Sequence, residues 1–308
     1  MKLLVKGFLL VALFLIAGRF CHRQTDGFQT VKIASDLPVL KEWEVPSVNV
    51  QEKEQLKAIF SQPFTFLDSG GQCYAFLSQD GKLVLKLFKM HHLRQYPLLH
   101  RLHLPGIFDQ WRVQFLIFQK QKLQRVFSSS KLAYTALKNE TGLLYLNLNP
   151  SEEFKDLQVT LIDRIDIRHR VNLKSVPFVL QYRADNPFDM LRLHLAHKDL
   201  NSGKQVVKQI IDCLTDRYEK GIKDLDPALR RNIGLLKDRA IAIDIGSFFT
   251  SENVSNIIEK KQELIDDTRR MHRWLKKRSK ELAEYLDTLV EEYSGGGAEK
   301  REKSNEPL

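Results

Sequence analysis

The sequence predicts an α+β chain with two parts: a strand-rich first lobe containing a helical insertion, and a mainly helical second lobe. Two patterns carry that prediction. Between Phe66 and Phe88, short apolar runs are separated by Gly70-Gly71 and by Asp80-Gly81, as in strands joined by tight turns. Beyond residue 204, apolar residues recur at spacings of three and four. They do so first in Val207, Ile210, Ile211 and Leu214, and again from Ile257 to Leu289, which is the period of amphipathic helices. The chain has 308 residues, 43% of them hydrophobic and 28% charged. That suffices for one large core or two smaller ones and excludes disorder over most of the chain.

Residues 1–22 form an apolar segment. Lys2 and Lys6 precede a run of mostly apolar residues, which fits a signal sequence and is marginal in length for a spanning helix. Arg19 and Phe20 follow Ala17-Gly18 and make a poor cleavage site. An uncleaved membrane anchor or an export signal is expected, with the side of the membrane open. Residues 23–60 read as a polar connector with a short amphipathic stretch.

Residues 61–183 form the first lobe. A long insertion follows Lys86 and contains His91, His92, His100, His103, Trp111 and an apolar, basic helix around Val113 to Phe127. These histidines have no Cys partner and no metal-ligand spacing, so no metal is expected there. Leu143 to Leu148, Val159 to Asp163 and Pro177 to Tyr182 read as strands, the last leading to a turn at Pro187.

Residues 184–293 form the helical lobe. His197-Lys198-Asp199-Leu200-Asn201 precedes a helical stripe, so Asp199 or Asn201 is expected to cap that helix. Ile233 to Leu236 and Ala240 to Ile243 read as a hairpin turning at Lys237-Asp238-Arg239. From Val254 to Tyr293 runs an amphipathic pattern of one helix or two. Residues 294–308 are Gly-rich and charged and are expected to be disordered.

The net charge is +10 and the isoelectric point is about 9.4. Basic residues cluster at Lys120, Lys122 and Arg125, and from Arg269 to Lys280. The plain reading is solvated helix faces. The alternative is contact with an anionic membrane surface, near which the N-terminal segment would hold the chain. No nucleic-acid module is visible, so nucleic acid is not expected as a partner. Cys21, Cys73 and Cys213 do not make a disulfide framework and read as reduced thiols.

The chemistry concentrates in two places. Around the 233–243 hairpin, Asp226, Asn232 and Asp244 supply one candidate base and two hard oxygen ligands, a set suited to Mg²⁺ and a phosphoryl donor. Asp226 precedes Asn232 by six positions, and Asp244 follows Asn232 by twelve. Upstream, Gly70-Gly71 would let backbone N–H groups approach phosphates. Lys86 follows in Leu83-Val84-Leu85-Lys86, on a strand expected to be buried on both faces, where a lysine wants an anionic partner. A strand-edge surface lysine is the plainer alternative. Glu140 is the only Glu between Lys86 and the next strand. It reads either as the partner of Lys86 or as a solvated carboxylate at a helix end.

This order of motifs resembles the protein-kinase-like superfamily over roughly residues 60–250. Asp226, Asn232 and Asp244-Ile245-Gly246 stand where that family has its catalytic Asp, its Asn and its Asp-Phe-Gly. Gly70, Gly71 and Lys86 stand at its glycine-rich loop and its phosphate-binding lysine. The resemblance implies a two-lobed kinase-like fold using ATP and Mg²⁺. In it, Asp226 would act on the acceptor hydroxyl, Asn232 and Asp244 would hold the metal, and Lys86, oriented by Glu140, would grip the phosphates. The sequence departs from the family at several points. Asp224-Leu225 replaces the His-Arg before the catalytic Asp, the step from Asp226 to Asn232 is one residue longer, and Asp68 and Cys73 occupy two of the three glycine places. No Ala-Pro-Glu region follows Gly246. The reduced second lobe points to a small-molecule or atypical acceptor. The alternatives are a catalytically inactive pseudokinase with a binding or scaffold role, and a membrane-attached interaction protein.

Overall fold

The computed structural model describes residues 2–251 and 257–294. The chain begins with α1 (Lys2–Gln24). Within it, Lys6–Gln24 is long and apolar enough, by length and composition, to cross a membrane, and none of that window is buried. Helix α2 (Val50–Phe60) opens with a capping box in which Asn49 and Glu52 exchange side-chain and backbone bonds.

Three antiparallel strands follow: β1 (Phe64–Ser69), β2 (Cys73–Ser78) and β3 (Leu83–Phe88). They are joined as expected at the Gly70-Gly71 turn and at Asp80-Gly81, where Gly81 takes φ 71°. After β3 come α3 (Met90–Leu93), α4 (Pro97–Arg101) and α5 (Ile107–Ala136). The last is far longer than the 113–127 segment expected. Its apolar residues do not form one stripe along its whole length, which blurred both ends in the sequence. Helix α6 (Lys138–Thr141) ends at Gly142, which takes the left-handed conformation at φ 61°.

The sheet is completed by β4 (Leu143–Asn147), β5 (Gln158–Ile162), β6 (Arg168–Asn172) and β7 (Phe178–Tyr182), in the order β4-β7-β3-β2-β1-β5-β6. Strand β6 has no counterpart in the sequence reading. Of its five residues only Val171 is buried, so it lacks the apolar alternation that marks a strand.

Pro187, expected at a turn, instead starts α7 (Pro187–Ala196), with the Asn186 side chain accepting from the Phe188 amide as cap. Helix α8 (Leu200–Glu219) is capped by Asp199, whose Oδ1 accepts from Ser202 N at 3.0 Å. Next come β8 (Ile222–Asp224), α9 (Leu229–Asn232), β9 (Ile233–Leu235), β10 (Ala240–Ala242) and β11 (Phe248–Thr250). Strands β9 and β10 form the expected hairpin, and β8 pairs with β11. The C-terminal pattern resolves into two helices, α10 (Ile257–Lys276) and α11 (Lys280–Ser294). Val254 and the 295–308 tail lie outside the described residues.

The chain divides into two compact units. The first comprises residues 1–124 and 145–180, the second 125–144 and 181–308. In the first, Phe60, Phe64, Phe76, Leu85 and Phe178 are buried, with Phe60 edge-on to Phe178 at 5.7 Å. In the second, the α8 stripe of Val207, Ile210, Ile211 and Leu214 is fully buried. Helix α11 packs on α8 and α10.

Gly234 in β9 has its reason in packing. A Cβ there would lie 2.5 Å from Ala184 Cβ and 3.0 Å from Ile243 Cγ2. Gly234→Ala is therefore expected to destabilise by about 1–3 kcal/mol through overpacking. Denaturant unfolding with an unchanged m-value checks this.

Candidate functional site

In the first unit, Gly70 and Gly71 form the turn between β1 and β2. Gly70 N donates to Cys73 O at 3.0 Å. Neither glycine has a positive φ, a Cβ on Gly71 would meet nothing within 4 Å, and one on Gly70 would meet only Cys73 O at 3.9 Å. Neither backbone conformation nor packing requires glycine here. What these glycines provide is bare backbone facing open space, the condition for close approach by a ligand.

Lys86 lies in β3 opposite Ala75 of β2, between the fully buried Leu85 and Leu87 and itself part-buried. A neighbouring lysine escaped the sequence reading. Lys89 is buried, and its Nζ donates to Gly70 O at 2.6 Å and Ser69 Oγ at 2.9 Å while standing 4.6 Å above the Tyr74 ring. It clamps the glycine turn, and burial pulls its pKa down.

The second unit holds the other candidates. Asp226, Asn232 and Asp244 are gathered at the open end of the β9–β10 hairpin. Asn232 is buried, its Nδ2 donates to Asp226 O at 2.6 Å, and its own carbonyl accepts from Ile243 N at 2.7 Å. The pairing of Ala242 with Ile233 puts Asp244 at the same end as Asn232. Asp244 Oδ1 accepts from Gly246 N at 3.1 Å. The Asp226 carboxylate is solvent-accessible and lies 3.5 Å from Arg231 Nη2.

Glu140, on α6, is not the solvated carboxylate that its position at a helix end suggests. Its side chain is 13% exposed, and Oε1 accepts from Lys220 Nζ at 2.6 Å. The same Nζ donates to Ala136 O at 2.9 Å. Among the described residues Oε2 is buried with no hydrogen-bond partner. Helix α5, the long helix after β3, contains no Glu.

The hairpin end is held from beneath by further groups, most of them not singled out in the sequence. Asp224, in β8, accepts through Oδ1 from Ser247 Oγ at 2.5 Å and from Asp226 N at 3.0 Å. Ser129 of α5 donates to Ile245 O at 2.5 Å and accepts from Phe248 N at 2.6 Å, so residues 245–248 are bracketed on both sides. Arg217 of α8 lies behind Asp224. Its guanidinium is 3.7 Å from Asp224 Oδ2 and 3.0 Å from Asp267 Oδ2, and all three side chains are at most 5% exposed. Tyr218 also donates to Asp267 Oδ2.

Burial pushes the Asp267 carboxyl up to about 6, against the pull of the Arg217 charge and the Tyr218 hydrogen bond. Burial likewise raises Asp224. The signal available in the sequence was Arg217 itself, a cation three positions beyond Leu214 on an otherwise apolar helical stripe.

Asn232 and Asp244, the residues expected to hold a metal, stand at the same end of the hairpin. Among the described residues no group of three or more His, Cys, Asp and Glu side chains is placed to hold an ion. Two hard oxygen donors at one hairpin end fit Mg²⁺, which keeps several waters and completes its octahedron with phosphate oxygens.

No protein-family model matches the chain, and no curated protein does. Among solved structures it is similar to the 2.2 Å crystal structure of WbdD, with 12% identity and a TM-score of 0.37 over 76% of this chain and 46% of that one. It is also similar to WbdD co-crystallised with a kinase inhibitor, with 12% identity and a TM-score of 0.34 over 77% of this chain and 47% of that one. The chain spans about half the length of these neighbours. A likeness of this size assigns no activity.

Two predictions follow from the buried cluster. Arg217→Ala leaves two carboxylates buried without their cation and is expected to cost about 3–5 kcal/mol, read by denaturant unfolding. Asp267 has a folded pKa above its ordinary 3.8, so its contribution is fully present below about pH 4 and is lost as pH rises through about 6. Stability is therefore expected to fall across that window by up to about 3 kcal/mol from this group. Asp267→Asn is expected to flatten that part of the pH–stability curve.

Proposed function

We propose that the chain is an ATP- and Mg²⁺-dependent phosphotransferase of two-lobed kinase-like fold, acting on a hydroxyl of an acceptor. The observation that supports it most is the gathering of Asp226, Asn232 and Asp244 at one end of the β9–β10 hairpin, tied by the Asn232 Nδ2 bond to Asp226 O and the Ile243 N bond to Asn232 O. Bound ATP would supply the phosphoryl group. In this reading Asn232 and Asp244 hold Mg²⁺, and Asp226 orients the acceptor hydroxyl and takes its proton. Lys86 binds the α- and β-phosphates, and the open backbone of Gly70 and Gly71 covers them. Glu140 engages Lys220 through Oε1.

A second reading, a catalytically inactive kinase-like binding or scaffold protein, is favoured by one observation. The Asp226 carboxylate already has a cation, Arg231, at 3.5 Å. In either reading α1 would anchor the chain at a membrane or carry an export signal. The exposed Leu98, Ile107, Phe108, Trp111 and Phe118 of α4 and α5 add apolar surface suited to a membrane interface.

Thermal unfolding with and without ATP and Mg²⁺ tests the proposal. Ligand at about a hundred times its dissociation constant is expected to stabilise by ~2.7 kcal/mol, with the rise dependent on Mg²⁺ and abolished by Lys86→Ala and by Asp244→Ala. No rise at millimolar nucleotide would sink the enzyme reading. A rise without phosphate transfer to any acceptor would leave the scaffold.

A further inference from the structure

Beside the Asp226 loop, the second unit contains two cavities with a common wall. One, of 250 Å³, is lined by Pro227, Leu229, Arg230 and Arg231 of the loop, by Phe188, and by Arg270, Met271 and Trp274 of α10. The other, of 470 Å³, is lined by Arg270, Arg273, Trp274, Lys276, Lys277 and Arg278. Arg270 and Trp274 belong to both.

Trp274 is fixed as a wall. Phe188 meets its ring edge-on at 5.3 Å, and the Arg278 guanidinium stands 4.4 Å from the ring centroid. The one carboxylate among the lining residues, Asp267, is already engaged by Arg217 at 3.0 Å. Among the described residues Arg230, Arg270, Arg273, Lys276, Lys277 and Arg278 form no ion pair. Elsewhere on α10 the surface cations do find acids, as Arg269 does with Asp266 and Lys260 with Glu219.

Cations without counter-charges around a concave surface attract an anion, and guanidinium forks match the oxygens of a phosphate. The smaller cavity begins at Pro227, the residue after Asp226. We propose that this pair of cavities is the acceptor site and that the acceptor is an alcohol already carrying a phosphate ester. Its phosphate is held by Arg270 and Arg273, and its free hydroxyl lies at Asp226. This rests on the phosphotransferase reading above. In the transfer, the acceptor oxygen forms a bond to the γ-phosphorus of ATP while the bond from that phosphorus to the β–γ bridging oxygen breaks. ADP leaves with the electron pair, and the hydroxyl proton passes to the Asp226 carboxylate.

The test uses the full chain in detergent with γ-labelled ATP and Mg²⁺. Glycerol 3-phosphate and glucose 6-phosphate are offered against glycerol and glucose. Phosphatidylcholine vesicles with and without phosphatidylglycerol form a separate arm that distinguishes a lipid headgroup from a soluble ester. Transfer is expected to a phosphate-bearing acceptor and not to its phosphate-free parent. Arg270→Gln/Arg273→Gln is expected to raise the acceptor KM by about tenfold or more, with the ATP–Mg²⁺ thermal shift retained as evidence of folding. Lys276→Gln/Lys277→Gln is expected to weaken the acceptor in the same sense.

Equal transfer to phosphate-free alcohols, or an unchanged KM in the double arginine variant, would overturn the anion site and leave the phosphotransferase standing. Absence of any ATP shift would instead overturn the phosphotransferase reading. Where no transfer is seen, a thermal shift with glucose 6-phosphate or phosphatidylglycerol vesicles that the arginine variant loses supports the anion site. No such shift overturns it.

Discussion

The guanidinium of Arg217 is the constraint on which the second unit depends. A charge so far from water must be met by opposite charge, and Asp224 and Asp267 meet it from β8 and α10. Three elements distant in sequence are thereby held in one register. Asp224 then passes the order forward. Its second oxygen accepts from Ser247 and from the Asp226 amide, so the start of the Asp226 loop and the segment after Asp244 share one anchor. Ser129 closes the bracket on residues 245–248. Before Asp226, the structural work falls to the Asp224 carboxylate paired with a buried arginine.

The same arrangement separates buried charge from exposed charge. Arg217, Asp224 and Asp267 are buried and engaged with one another, whereas Asp226 is solvent-accessible at a loop. Asn232 is buried and satisfied through its amide, which holds its side chain in one orientation. In the first unit, Lys89 immobilises the glycine turn through the Gly70 carbonyl and Ser69 hydroxyl, leaving the outer backbone of the turn bare. The positive charge from Arg269 to Lys280, which composition alone reads as a solvated face, divides into cations with acid partners and cations lining cavities.

Much of the local architecture was legible from residue order. Strands β1 to β3, the β9–β10 hairpin and the Asp199 cap follow from Gly, Asp-Gly and apolar spacing, which act over a few residues. Strand β6 was not legible, because a strand with one buried residue has no period to detect. Pro187 reads as a turn in the sequence because proline both ends stretches of regular structure and starts helices. The Asn186 bond to Phe188 N, seen only in three dimensions, settles which. The placing of Asp226, Asn232 and Asp244 near one hairpin end was legible from residue type and spacing. Arg217, Ser129 and Ser247 were not, since their importance lies in partners many residues away.

By itself the sequence determined the strand–turn–strand of 64–88, the hairpin that sets Asn232 and Asp244 at one end, and an apolar helix at the N-terminus. These depend on backbone preferences and on periodicities of two and 3.6 residues, which are properties of neighbours along the chain. Only the tertiary structure decided that Glu140 is paired with Lys220, that Lys89 grips the glycine turn, and that Arg217 joins β8 to α10. Each of these is a pairing between charges or hydrogen-bonding groups distant in the chain or brought together by turns. Burial then sets their strength, and no local rule of sequence carries that information.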